Sequence, residues 1–424
     1  MNNIYQKIFL GKYKKLISNF SYLMLIEVIN KILPILVVPY IVNILGIEKY
    51  GILVFSLAII MYFKILTAYS FDLTATKFIS QHRDDKKKIS RYYWSIIFTK
   101  FILLFISFIL LLCVIFLFEK LNLEKEILLF TFLMIVGEVM TPLWFFRGIE
   151  EMKYVAYLSV ITKTIYTLSI FFLIHEENDY VYVALLNSIS HLIVGILSLL
   201  YIYKKFNISF FLPNINEIKN ILNEGKDIFF SNISVSMYTV TNNILLGFLV
   251  GYSAVGIYSI AGTIYGAFLN IIYTYNTVVY PYLSKYLKEK KVFILQTRKL
   301  LFFYILILTF SSIFLFFSSN FIIELLFGAG NEKTIEVLQT LALVLIISPL
   351  GGYLTHYLAL KSEYKVIRKI TFRTMIVNFI FVYPMITLYE ANGVAYLMII
   401  VALFQVSQNI KYNKELFIIK RNKS

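Results

Sequence analysis

Long apolar runs, broken only by short polar loops, fill this 424-residue chain almost from end to end. A helix rising 1.5 Å per residue needs roughly 20 apolar residues to cross about 30 Å of hydrocarbon. The runs meet that length repeatedly and predict spans at about 18–45, 50–72, 93–118, 127–148, 154–174, 180–203, 227–250, 254–281, 299–323, 337–360, 366–389 and 393–412. Ile228–Ser284 holds no Asp, Glu, Lys or Arg, and only Val250–Gly256 offers a turn within it. It is too long for one crossing and is read as two. The expected fold class is an all-α integral membrane protein of about twelve transmembrane helices.

Composition agrees: 59% of residues are hydrophobic, 15% are charged, and the mean hydropathy is +0.76. A soluble domain of this length needs a far more polar surface. Lys7, Lys12, Lys14 and Lys15 before the first run give it the look of a signal peptide. The run is too long for one and has no small-residue cleavage site, so it is expected to stay as a first span. The single cysteine, Cys113, excludes an internal disulfide or a cysteine zinc site and is expected to be a small buried hydrophobe.

The net charge of +16 would point to nucleic acid in a soluble protein. Here the basic residues sit in loops on alternate sides. One side collects Lys77, Arg83, Lys86–Lys88, Lys204, Lys205, Lys285, Lys288, Lys290, Lys361, Lys365 and the basic tail. The other has only Lys49, Lys120, Lys125 and Lys333. Basic loops favour the cytoplasm, which places both termini there and makes nucleic acid an unnecessary partner.

A weak internal repeat organises the spans. Leu45-Gly46-x4-Gly51 recurs as Val250-Gly251-x4-Gly256, Ser80 before a basic loop recurs at Ser284, and Pro142-Leu143 recurs at Pro349-Leu350. Each pair lies about 205 residues apart, in the same order. The expected domains are two six-helix bundles, 1–205 and 206–424, joined by the polar stretch Lys204–Lys226. Parallel repeats of this kind are common in transporters, with the substrate route between the halves.

No phosphate loop, H-E-x-x-H, C-x-x-C or G-x-S-x-G occurs, so no catalytic residue, metal or cofactor is expected, and the chain is read as a transporter rather than an enzyme. The candidate chemistry is charge within spans. Glu27 and Lys31 share a helix face, four residues apart. Lys64, Glu138 and Lys163 fall inside the second, fourth and fifth spans, Asp72 and Arg147 near the inner ends of the second and fourth, and His191 in the sixth. One lysine facing lipid costs about 2.5–3.5 kcal/mol even on the lenient insertion scale, so these residues should turn toward a polar cavity. Lys31, Lys64, Lys163 and Arg147 are the expected anion-binding set. Glu27, Asp72, Glu138 and His191 are the expected supporting or ion-coupling set. Each also has a plainer reading, as a snorkelling lysine, a charge partner or a helix–helix hydrogen bond. Spans of the second half offer neutral groups, Asn242, Asn243, Asn270 and Asn276 with Tyr273 and Tyr275, suited to sugar hydroxyls and rings.

Further residues carry a resemblance. They are Pro34-x4-Pro39-Tyr40, Leu45-Gly46, Tyr50-Gly51, Phe71-x-Leu73-Thr74-Ala75-Thr76 and Pro142-x-Trp144-Phe145-Phe146-x-Gly148-x-Glu150. The second half adds Gly225, Phe229, Ser231, Asn243-Ile244-x-Leu246-Gly247, Val255-Gly256-x-Tyr258 and Tyr280-Pro281. In this order the chain resembles bacterial O-antigen and capsular repeat-unit flippases, the Wzx-type polysaccharide transporters of the multidrug/oligosaccharidyl-lipid/polysaccharide flippase superfamily. It departs at Ser70, where that family usually has glycine, and in lacking lysines in the middle of the spans of the second half.

The resemblance implies two bundles around a V-shaped cavity that opens to one side of the bacterial inner membrane at a time. The implied substrate is an undecaprenyl-pyrophosphate-linked oligosaccharide carried from the cytoplasmic to the periplasmic leaflet, with the lipid bilayer and the glycan polymerase machinery as partners. The alternatives are a cation-coupled multidrug exporter, which would want acids in its cavity, and a peptidoglycan-precursor flippase, whose relatives usually have two more helices. A membrane glycosyltransferase would need a large extramembrane loop that this chain lacks.

Overall fold

A computed structural model of the chain describes residues 2–417, with side chains for Tyr22 and for residues 33–417 other than 238, 277 and 278. Helices follow one another as α1 (Asn2–Ala68), α2 (Phe71–Gln81), α3 (Lys86–Leu117), α4 (Glu119–Leu123), α5 (Lys125–Val139), α6 (Leu143–Gly148) and α7 (Met152–Leu173). Then come α8 (Tyr180–Phe206), α9 (Ile215–Thr239), α10 (Thr241–Leu249), α11 (Tyr252–Ser284), α12 (Lys290–Phe327), α13 (Glu332–Leu360) and α14 (Tyr364–Tyr412). No strand occurs among the described residues.

Nine helical stretches among the described residues are long and apolar enough to cross a membrane, which makes this an all-α, multi-pass membrane protein. The two longest each contain a break. At 1.5 Å per residue the 67 residues of α1 would reach about 100 Å, more than three times the hydrocarbon thickness. Gly46 interrupts it with φ +79°, ψ 166°, a conformation open to glycine. In α14 the break is Glu390 (φ +50°). A Cβ on Gly393 would fall 2.0 Å from the Met385 carbonyl oxygen, although a straight helix would separate those residues by about 12 Å. The chain has therefore doubled back there. The breaks fall where the hydrophobic pattern separates 18–45 from 50–72 and 366–389 from 393–412. The span expected over 227–250 is instead divided between α9 and α10 at Val240, and neither is among the nine. Lys219, Glu224, Lys226 and Asp227 make the start of α9 too polar.

The helices carry bulky apolar groups outward, as a hydrocarbon solvent demands, and pack apolar and polar groups together on their inward faces. On α3 the buried positions Tyr93, Ile96, Ile97, Lys100, Leu104, Ser107 and Leu111 recur every three or four residues, while Phe101, Phe105, Ile109 and Phe116 are exposed. Cys113 lies on the exposed side, so the expectation that it is buried is corrected. A small hydrophobe is as much at home against lipid as in a core.

The chain divides into two compact units, residues 1–45 with 56–236, and 46–55 with 237–424. Residues 206–236, which the repeat boundary at 205 assigns to the second half, pack in the first unit. Tyr69 stacks on Phe229 at 4.4 Å, its hydroxyl donates to the Leu222 carbonyl at 2.9 Å, and Gly225 lies over Ser70.

In the second unit the repeated glycines meet. A Cβ on Gly51 would stand 1.9 Å from the Tyr252 carbonyl oxygen, and one on Gly256 would stand 2.3 Å from that of Ile47. The contact is reciprocal, each motif's last glycine lying on the other's first turn, and only hydrogen at both positions permits it. Deeper in this unit, Asn242 and Asn378 exchange hydrogen bonds at 3.4 and 3.3 Å, Asn276 donates to the Tyr304 hydroxyl at 3.2 Å, and Ser312 donates to the Ala342 carbonyl at 2.6 Å. At one end the carboxylate of Glu415 takes Lys361 at 2.7 Å, Lys290 at 3.6 Å and the Tyr357 hydroxyl at 3.0 Å, while Arg298 donates to the carbonyls of Glu415 and Leu416.

Candidate functional site: a cationic cavity in the first unit

The site begins with a close helix crossing. Gly137 on α5 leaves room for the backbone of His191 on α8, which would stand 2.3 Å from a Cβ there, and Gly195 on α8 lies against the Gly137 carbonyl in turn. Ser188 donates to the Phe130 carbonyl at 2.5 Å and fixes the register of the same crossing. This brings Glu138, next to Gly137, within 3.9 Å of the His191 Nδ1. Lys64 on α1 completes the group, its Nζ 2.6 Å from the Glu138 carboxylate.

Around this group lies a cavity of about 230 Å³ lined by Lys64, Asp72, Lys100, Glu138, Lys163 and His191, with Thr67, Thr141, Ser159 and Thr162 between them. It draws on the end of α1 and on α2, α3, α5, α7 and α8, and every residue lining it belongs to the first unit. Of the residues expected from sequence, Lys64, Lys163, Asp72, Glu138 and His191 therefore share one cavity. Arg147 stands beside it through Asp72, at 3.5 Å. Glu27 and Lys31 lie outside the described side chains.

Lys100 is the residue that the sequence reading missed. It is 7% exposed, it lines the cavity, and neither it nor Lys163 makes a hydrogen bond or ion pair among the described residues. Its signal was present: it sits on the inward stripe of α3, where every three or four residues a buried position recurs. The lysine was lost in the most apolar run of the chain because neighbouring phenylalanines dominate the local hydropathy.

The electrostatics follow from the pairing. Lys64 is neutralised by Glu138 and Arg147 by Asp72, while Lys100 and Lys163 have no acid of their own among the described residues. A lysine buried without a partner costs several kcal/mol, and a chain tolerates it where something else supplies the negative charge. The cavity is suited to an anion, with threonine and serine hydroxyls as further donors. Three or more His, Cys, Asp or Glu residues placed to hold a metal are absent among the described residues.

The residues that carry the family resemblance have a different task. Trp144, Phe145 and Phe146 are fully buried against Phe71, Ala75, Ile79 and Tyr93. Gly148 lets α6 close onto α2, since a Cβ there would stand 2.7 Å from Ile79 Cβ. Arg83 then ties the end of the motif, donating to the Gly148 carbonyl at 2.9 Å and to the Glu150 carboxylate at 2.7 Å. That packing holds α2, and with it Asp72, at the mouth of the cavity. The departure at Ser70 is also explained. Its Oγ lies 1.7 Å from where a Cβ on residue 225 would be, so Gly225 accommodates the hydroxymethyl group. In the second unit Asn242 and Asn276 are committed to Asn378 and Tyr304, and serve there as helix–helix contacts.

The sequence profile of the polysaccharide biosynthesis protein family matches residues 16–287. Over 380 residues, 89% of this chain and 91% of the relative, the sequence is 27% identical to an Escherichia coli (strain K12) protein named "Putative O-antigen transporter". A Shigella dysenteriae protein of the same name is 24% identical over 386 residues, 89% of this chain and 94% of its own. The fold is similar to that of a lipid II flippase, MurJ, in an inward closed conformation. The TM-score is 0.74 at 15% identity, covering 94% of this chain and 87% of that one. It is also similar to an inward-facing multidrug resistance transporter of the MATE family in the MOP superfamily, with a TM-score of 0.67 at 16% identity over 93% and 97% of the two chains. With a profile match over more than half its length, the chain belongs to the polysaccharide biosynthesis protein family.

Proposed function

We propose that this protein is a flippase that carries an undecaprenyl-diphosphate-linked oligosaccharide from the cytoplasmic to the periplasmic leaflet of a bacterial inner membrane, as a transporter and not as an enzyme. The observation that carries this reading is the cavity of the first unit, where Lys64, Lys100 and Lys163 surround a space large enough for a phosphate group and two of the three have no acid partner among the described residues. A diphosphate cannot cross hydrocarbon without cations to replace its water. The lysines supply them, while the polyprenyl tail stays in the bilayer. The bias of basic loops supports cytoplasmic termini. Relatives named as O-antigen transporters and a fold shared with a lipid II flippase support the same substrate class. Glu138 and His191 are the supporting or ion-coupling groups in this scheme, with Asp72 holding Arg147 beside the entrance. Lys31 and Glu27 belong to the proposal on their sequence positions. A multidrug exporter of organic cations is disfavoured by the surplus of lysine over acid in the cavity.

The test is deletion of the gene in its native host, with surface polysaccharide and undecaprenyl-linked intermediates measured together. Loss of surface glycan, with repeat units trapped on the cytoplasmic leaflet, is the expected result. The deletion strain should be rescued by the wild-type gene and not by Lys163→Ala or Lys31→Ala, each with normal membrane insertion. Normal glycan with altered drug tolerance would replace this reading with the exporter.

A further inference from the structure

Resting on that reading, we infer that Lys100 and Lys163 count the phosphates of the bound lipid, while Glu138 withholds Lys64 from the count. The argument is one of charge. Among the described residues the cavity and its entrance carry four cations, Lys64, Lys100, Lys163 and Arg147. Two are already neutralised, Lys64 by Glu138 at 2.6 Å and Arg147 by Asp72 at 3.5 Å. His191 is neutral in the main at pH 7, as a histidine ordinarily is. Among the described residues the surplus is therefore two positive charges, on the two lysines that have no partner there.

A diphosphate substituted at both ends carries one ionised oxygen on each phosphorus, two negative charges in all. A phosphodiester linking the same lipid to the same sugar carries one. Only the diphosphate neutralises the surplus. With a phosphodiester bound, one lysine stays buried and uncompensated, and for Lys100, 7% exposed, water cannot make up the difference. Glu138 sets the count at two. Without it Lys64 would be a third unpartnered cation and the cavity would no longer balance against two charges.

The experiment uses the full chain in lipid nanodiscs and two probes that differ by one phosphate, farnesyl diphosphate-linked and farnesyl monophosphate-linked N-acetylglucosamine, with Kd measured for each. Wild type is expected to prefer the diphosphate by about tenfold or more, one lost charge-assisted contact being worth at least that. Lys100→Met should bring the preference to within about threefold, mainly by weakening the diphosphate probe. Glu138→Gln should tighten the diphosphate further and raise the salt dependence of both probes. Lys205→Met, outside the cavity, should change neither Kd. Equal wild-type affinities for the two probes, or a Lys100→Met variant that keeps the wild-type ratio, would overturn the count while leaving the transport reading in place. Failure of the wild type to bind either probe would overturn both. Should Lys100→Met not fold, Lys163→Met carries the same expectation, and the wild-type ratio is decisive without any variant.

Discussion

Both units of this protein bury polar side chains among membrane-spanning helices, but they satisfy them differently. In the second unit every buried amide described above has a neutral partner close by, Asn242 with Asn378 and Asn276 with Tyr304, and its charged knot at Glu415 lies outside the spans. In the first unit charged groups gather around a cavity, and two of them, the buried Lys100 and the half-buried Lys163, have no acid partner among the described residues. The difference separates two uses of polarity in a low-dielectric interior. A neutral pair closes on itself and costs little, so it serves as helix–helix contact. An uncompensated cation is expensive, so its persistence marks a place where an anion arrives.

The comparison is broken most directly by removing its charges. Lys100→Met or Lys163→Ala is expected to lower transport of lipid-linked saccharide in proteoliposomes by about tenfold to a hundredfold, from the loss of a charged hydrogen bond of roughly 1.5–3 kcal/mol. Asn276→Leu should change it by less than about threefold. Losses of similar size in the two units would remove the distinction.

A packing test in the first unit comes next. Gly225→Ala drives a methyl into the Ser70 hydroxyl and should destabilise by about 1–3 kcal/mol in thermal unfolding in detergent. Ser70→Gly on that background should restore most of the loss. A Gly225→Ala protein as stable as wild type would mean that this contact yields freely.

The second unit can be probed through its amide pair. Asn242→Leu leaves Asn378 buried without its partner and should cost about 0.6–1.7 kcal/mol, between the average and the largest value for hydrogen bonds between membrane helices. The double change Asn242→Leu with Asn378→Leu should cost less than the single one, because no orphan remains. A double variant worse than either single would assign the pair a role beyond contact.

The smallest effect concerns pH. Burial raises the Glu415 carboxyl, but Lys361, the Tyr357 hydroxyl and Lys290 outweigh it and hold the group below its ordinary value of 4.5. A carboxyl depressed on folding stabilises above its unfolded pKa and loses that contribution as pH falls through the folded one. Hydrogen exchange at 413–417 should therefore be unchanged between pH 7 and 5 and, after correction for intrinsic rates, accelerate below about pH 4.5. Glu415→Gln should flatten that rise.

Much of the site was legible in the chain because charge within an apolar run is conspicuous: Lys64, Lys163, Glu138 and His191 stand out and do share a cavity. Lys100 did not stand out, since Phe98, Phe101 and Phe105 around it point elsewhere and only the three-to-four-residue spacing of buried positions marks it as inward. Ser70 read as a departure from the family pattern, and its explanation lay 155 positions away, at Gly225.

The sequence by itself determined that this is a helical membrane protein and where most of its spans begin and end, because helix length against hydrocarbon thickness and the cost of a bare backbone in lipid act locally along the chain. It also determined the breaks at Gly46 and near Glu390, since the apolar pattern stops there. The tertiary structure decided which charges neutralise one another. Lys64 meets Glu138 across 74 positions, and Gly137 and Gly195 bring His191 to the same carboxylate by letting α5 and α8 approach, so the grouping has no local signature. The surplus charge of the cavity is what remains after such pairings, so it belongs to the fold and not to any segment of the chain.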